Sequence, residues 1–245
     1  GVPRDETVPL LGRPGDAAQI EGDSMLHNLV LAFGANPTFN FCSLFPIGTG
    51  ILAQIANVLF LLTVWVTVLS GNLILFSGHP LAVSVGVFAL VQSILVLQPT
   101  HTAPQKRIGQ RYHAAFNTVT FLGVGTGITV IEYNKVKNGL AHFHSVHAYF
   151  GVATGALMAL QLLAGVTMWA VPALYGGEQQ AKNVWKYHRM SGYLLLVLVL
   201  ATVVTATQTD YIATVVKIKT WSMVLVAFFI VSGVFPRVQK KKLGF

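Results

Sequence analysis

Between Ser24 and Gln105 there is no lysine, arginine, aspartate or glutamate. A helix rises about 1.5 Å per residue and needs about 20 mostly apolar residues to cross a bilayer, so this run alone holds two spans. The rest of the chain keeps the same character: 53% of residues are hydrophobic and 10% charged, where a soluble domain carries roughly a quarter. That balance excludes an ordinary soluble domain and a disordered chain, and it marks the lipid bilayer as the chain's surroundings.

The uncharged stretches divide into six expected spans, at 48–70, 80–97, 113–131, 147–171, 190–206 and 221–235. Glycine, proline and charge clusters separate them. Trp65, Trp169, Trp185 and Trp221 fall near the expected ends, as interfacial tryptophans do. The fold class read from this pattern is all-α integral membrane, with six transmembrane helices. The expected organisation is a tail and uncertain insertion at 1–47, a transmembrane domain at 48–236 and a basic tail at 237–245.

The formal net charge of +8 is read as membrane-flanking charge rather than nucleic-acid binding. Twelve of the 16 Lys and Arg fall on the side that holds both termini, which places the termini in the cytosol. Residues 1–20 are polar and lack the apolar stretch of a signal peptide. A single cysteine, Cys42, excludes an intramolecular disulfide, a four-cysteine zinc site and a cysteine-bound iron–sulfur cluster within the chain. There is no CxxCH for covalent haem attachment.

Four of the eight histidines open the second to fifth spans: His79, His113, His147 and His188. Because consecutive spans reverse direction, His79 and His147 belong to the non-cytosolic leaflet, and His113 and His188 to the cytosolic one. One imidazole pair per leaflet, each pair drawn from two helices, is what two bis-histidine haems stacked across a bilayer would need. A lone histidine at a helix end can simply hydrogen-bond a carbonyl at the interface. Four in matched positions point further, since ionisable groups inside a membrane are costly. A zinc site lacks a convincing third ligand. The glycines Gly123, Gly125, Gly127, Gly151 and Gly155 read as close helix packing, with room for a porphyrin as an addition.

The segments FSGHPLAVSVG (76–86), QKRIGQRYHAAFN (105–117), HFHSVHAYFG (142–151) and KYHRMSGYLL (186–195) resemble the eukaryotic cytochrome b561 family. With the tail ETVPLLGRPGDA (6–17) they look closest to its fungal members. The resemblance implies a four-helix haem-binding core (second to fifth helices) flanked by the first and sixth, with two haem b per chain. It implies axial binding by His79 and His147 of the non-cytosolic haem, and by His113 and His188 of the cytosolic haem. It also implies electron transfer from an ascorbate-like donor in the cytosol to monodehydroascorbate or a ferric chelate outside it. It leaves room for a homodimer.

On this reading Lys106, Arg107, Arg111, Lys182 and Lys186 are candidates for binding the anionic donor, although all five also serve as positive-inside signals. His142, His144 and Ser145 are candidates for the acceptor side or for lining its haem, with solvated loop residues as the alternative. Glu6–Leu11 resembles an acidic dileucine sorting signal and favours a vacuolar or endosomal membrane. Two rival readings remain at this stage. One is a ferric reductase with two ligands per helix, which the single core histidine per helix disfavours. The other is a non-haem, histidine-containing membrane transporter or scaffold.

Overall fold

In the computed structural model, residues 49–98, 100 and 103–238 are described, except for the side chains of residues 103–105. The tail with the Glu6–Leu11 signal, the 31–47 segment, Cys42 and residues 239–245 lie outside them.

Six long helices cross the molecule: α1 (Thr49–Leu69), α2 (Gly78–Leu95), α3 (Ala103–Asn138), α4 (Val146–Ala170), α5 (Glu178–Ala206) and α6 (Thr220–Val234). Among the described residues there is no strand. All six helices, with the short turns flanking α2 and α6, are long and apolar enough to span a membrane. Lipid offers backbone groups no partner, so an apolar chain rich in β-branched residues still becomes helical there. The expected spans fall within a few residues of these helices, except at three ends. α3 starts ten residues earlier and ends seven later than expected, and α5 starts twelve residues earlier. Their extra turns are polar, which concealed them from a search for apolar runs.

The polar extensions change one expectation. His79 and His147 are the second residues of α2 and α4. His113 and His188 are instead the eleventh residues of α3 and α5, about three turns inside them.

Helices α2 and α3 form one close antiparallel hairpin and α4 and α5 another, while α3 and α4 touch only lightly. In the first hairpin, glycines let the backbones meet. A Cβ on Gly123 would come within 2.8 Å of the Ala82 carbonyl oxygen, and one on Gly86 within 3.0 Å of that of Thr120. Helices α1 and α6 pair with each other and close one side of the bundle, where Gly233 meets the Thr49 carbonyl. Apolar packing runs mainly through α1, α2, α5 and α6, with Val91, Leu95, Leu196, Ile230 and Val234 almost fully buried.

Polar contacts fix the register inside this apolar volume. Gln54 and Gln92 exchange amide hydrogen bonds at 2.9 and 2.7 Å, and Trp65 Nε1 donates to Ser84 Oγ at 3.1 Å, tying α1 to α2. Thr154 and Thr202 join α4 to α5, and Thr207 and Thr220 join α5 to α6. Such bonds contribute about 0.6–2 kcal/mol each between membrane helices.

Candidate functional site

The histidines meet in two pairs. The rings of His79 and His147 lie 6.1 Å apart, centre to centre, with their planes at 84°. Those of His113 and His188 lie 6.5 Å apart at 80°. Each pair joins the two hairpins, α2 with α4 and α3 with α5.

Backbone carbonyls orient three of the four rings. His79 Nδ1 donates to the Gly127 carbonyl (2.8 Å), His113 Nδ1 to that of Ser93 (2.8 Å) and His147 Nδ1 to that of Thr202 (3.0 Å). A carbonyl can only accept, so the proton sits on Nδ1 and Nε2 carries the free lone pair. This is the tautomer of a metal-binding imidazole, held by its outer hydrogen bond. His188 differs: its Nδ1 is buried without a hydrogen-bond partner among the described residues, and its ring rests on Gly165. A Cβ at Gly165 would lie 3.3 Å from His188 Cε1. Gln161 Nε2 donates to the His188 carbonyl at 3.1 Å and to Ser191 Oγ at 2.6 Å.

A single spacing builds both pairs. Fourteen positions separate His79 from Ser93, His113 from Gly127, His147 from Gln161 and His188 from Thr202. Each helix carries a histidine for one pair and, close to four turns away on the same face, a supporting residue for the other. Fourteen residues span about 21 Å, which sets the separation of the two sites along the bundle.

This donor set suits a haem. Two imidazoles on one metal, with metal–nitrogen bonds of about 2 Å, have ring centres roughly 6 Å apart. Among the described residues no group of three or more His, Cys, Asp or Glu gathers to hold a bare ion. A pair of nitrogens completes six-coordination when a planar tetradentate group supplies the other four.

The other candidates are placed less tightly. Lys106, Arg107 and Arg111 lie on the early turns of α3, and Lys182 and Lys186 on those of α5, at the His113/His188 end of the bundle. Arg107, Arg111, Lys182 and Lys186 are exposed, and Lys186 Nζ lies 4.9 Å from the Tyr187 ring centre. At the opposite end, His142 Nδ1 lies 2.9 Å from Glu132 Oε2, and His144 Nδ1 donates to the Ala141 carbonyl at 3.0 Å. Ser145 caps α4, its Oγ accepting from the Ala148 amide at 3.2 Å.

Sequence reasoning missed Gly165, Glu132, Asn117 and Lys135. Asn117 sits one turn beyond His113, and its amide donates to His113 Nε2 at 3.1 Å as well as to the His113 carbonyl at 2.8 Å. Lys135, beyond the expected third span at 113–131, lies on the last turn of α3 and is only 9% exposed.

Fold and site together define a multi-pass helical membrane protein built around paired intramembrane imidazoles. Residues 78–214, more than half of the chain and all four of these histidines, match the family model for eukaryotic cytochrome b561, and the chain belongs to that family. It is 25% identical over 137 residues to the lysosomal membrane ascorbate-dependent ferrireductase CYB561A3 of Rattus norvegicus, covering 55% of this chain and 52% of that protein. It is 26% identical over 131 residues to the plasma membrane ascorbate-dependent reductase CYBRD1 of Xenopus tropicalis, covering 52% and 45%. The chain thus spans about half the length of these curated relatives. Membership makes haem b the group expected at the paired histidines.

Proposed function

We propose that this protein is a transmembrane oxidoreductase that carries electrons across a membrane through two b-type haems. The observation that supports this best is the pair of opposed imidazole sites, about four helical turns apart. His79 and His147 would hold one haem, His113 and His188 the other. Bound there, the haem irons supply reversible one-electron chemistry.

The chain's own residues do the rest. Carbonyls of Gly127, Ser93 and Thr202 keep three imidazoles in the ligand tautomer. The hairpins hold the sites at a fixed spacing and keep water out between them. The Lys and Arg on the early turns of α3 and α5 form a basic rim that draws an anionic donor of the ascorbate type and raises its rate of encounter. With both termini in the cytosol, that rim is cytosolic. His142 and His144 then lie on the acceptor side, where a ferric chelate or monodehydroascorbate would be reduced. The names of the relatives, ascorbate-dependent ferrireductase and reductase, favour this donor and an iron acceptor. A vacuolar or endosomal membrane fits the dileucine-like tail and the lysosomal relative.

The test is a reduced-minus-oxidised visible spectrum of the purified full chain, with ascorbate added before dithionite. A b-type α-band that rises with ascorbate is expected. A band raised by dithionite alone would remove ascorbate as donor. A folded, haem-supplied protein without a band would overturn the reading in favour of a non-haem transporter.

A further inference from the structure

Three of the four paired histidines are held at the ring, and the fourth is held elsewhere. Nδ1 of His79, His113 and His147 each donates to a carbonyl of the neighbouring helix in its own hairpin. His188 Nδ1 is buried without a hydrogen-bond partner among the described residues. What α4 gives α5 at this point is a side chain. Gln161 Nε2 donates to the His188 carbonyl at 3.1 Å and to Ser191 Oγ at 2.6 Å. Ser191 Oγ in turn donates to the Tyr187 carbonyl at 2.7 Å. An amide nitrogen carries two hydrogens, so both of its donors are used on this one turn of α5. Gly165 lies one turn on from Gln161, on the same face of α4. It leaves the space in which the His188 ring rests: an added Cβ would come 3.3 Å from Cε1 and 3.8 Å from Nε2. Gly192, one turn on from His188, lies beside the amide itself, where a Cβ would be 3.7 Å from Nε2. One helix face thus grips the backbone that carries His188 and bounds its ring.

We propose that Gln161 is the positioning residue of His188. Its amide fixes the His188–Ser191 turn of α5 against α4, and so sets the height and direction at which this imidazole enters the His113/His188 site. The proposal rests on the haem reading of that pair. At the other three histidines an outer hydrogen bond orients the ring directly. At His188 the restraint has moved from the ring to the backbone, and a neutral amide supplies it without the cost of burying a charge. A glutamine that merely glued α4 to α5 would, when removed, loosen the bundle and weaken both sites together. A positioning glutamine changes one site and spares the other.

The experiment compares wild type, Q161M, S191A and T220V as purified, haem-loaded full chain. Two quantities are read: the rate of haem loss to an excess of apomyoglobin, and the low-spin ferric EPR signal, whose anisotropy follows the orientation of the axial imidazoles. The component absent from His188→Ala identifies the site. Q161M keeps the length of the side chain and removes its donors. It is expected to lose haem from that site about fivefold faster and to shift that site's signal, with the His79/His147 component unchanged. S191A removes one of the two acceptors and should move the same component by less. T220V breaks the Thr207–Thr220 bond between α5 and α6, away from the histidines, and should leave both components as in wild type. If Q161M does not fold, S191A decides. Wild-type haem loss and signal at the His113/His188 site, or an equal change at both sites, overturns the proposal. A folded wild-type protein that takes up no haem instead overturns the haem reading beneath it, so the two failures are told apart.

Discussion

The two ends of the bundle solve the same problem differently. At the His79/His147 end, both histidines begin their helices and both Nδ1 protons are fixed by carbonyls. At the His113/His188 end, both histidines sit three turns inside longer helices, behind exposed cations. Only His113 is oriented by a carbonyl, and its Nε2 takes a hydrogen bond from Asn117, while His188 Nδ1 has no partner among the described residues. On the proposed reading, one end is preorganised for a metal, and the other has to rearrange at least one side chain to bind it. Preorganisation lowers the cost of binding, so haem should be held more tightly by His79 and His147 than by His113 and His188.

The largest effect comes from removing the imidazoles themselves. His147→Ala is expected to cost one haem per chain, read by pyridine haemochrome assay, and His188→Ala the other. Loss of both haems from either single variant would show that the sites are not independent. Next come the glycines. Gly127→Leu would drive a side chain into Val83 beside His79 and should destabilise the protein by about 1–3 kcal/mol. Gly125→Ala, with nothing within 4 Å of its added Cβ, should leave the thermal midpoint in detergent unchanged. A smaller change is expected at Asn117. N117A removes the hydrogen bond on His113 Nε2, worth about 1 kcal/mol, and should tighten haem binding at that end several-fold in a titration of the haem-free protein. Weaker binding in N117A would mean that the amide supports the site instead of competing with haem. The smallest effect concerns Glu132 and His142, 48% and 37% exposed. E132Q should alter stability by less than about 1 kcal/mol, as exposed pairs usually do.

Much of this architecture is written in the sequence's apolar periods. Six spans, their alternation and the pairing of His79 with His147 and His113 with His188 all follow from counting uncharged runs and reversing direction at each loop. What escaped were the polar turns of α3 and α5. Helix in Ala103–Arg111 and Glu178–Lys186 carries no apolar signal, so His113 and His188 looked terminal when they are interior. For the same reason the last polar turns of α3, which run past Lys135 to Asn138, fall outside the expected third span. Carbonyl partners were invisible for another reason: every residue has a carbonyl, and only the register between packed helices selects Gly127, Ser93 and Thr202. Ser145, singled out for the acceptor side, also has an ordinary task as the N-cap of α4.

Haem stoichiometry tests the two paired histidine sites most directly. Haem and protein should be quantified together in the purified, detergent-solubilised full chain expressed with ample haem supply. About two haems per chain, falling to about one in His79→Ala and in His113→Ala, is the expected result. A wild-type value of one or none, in protein shown to be folded, would contradict the two paired sites.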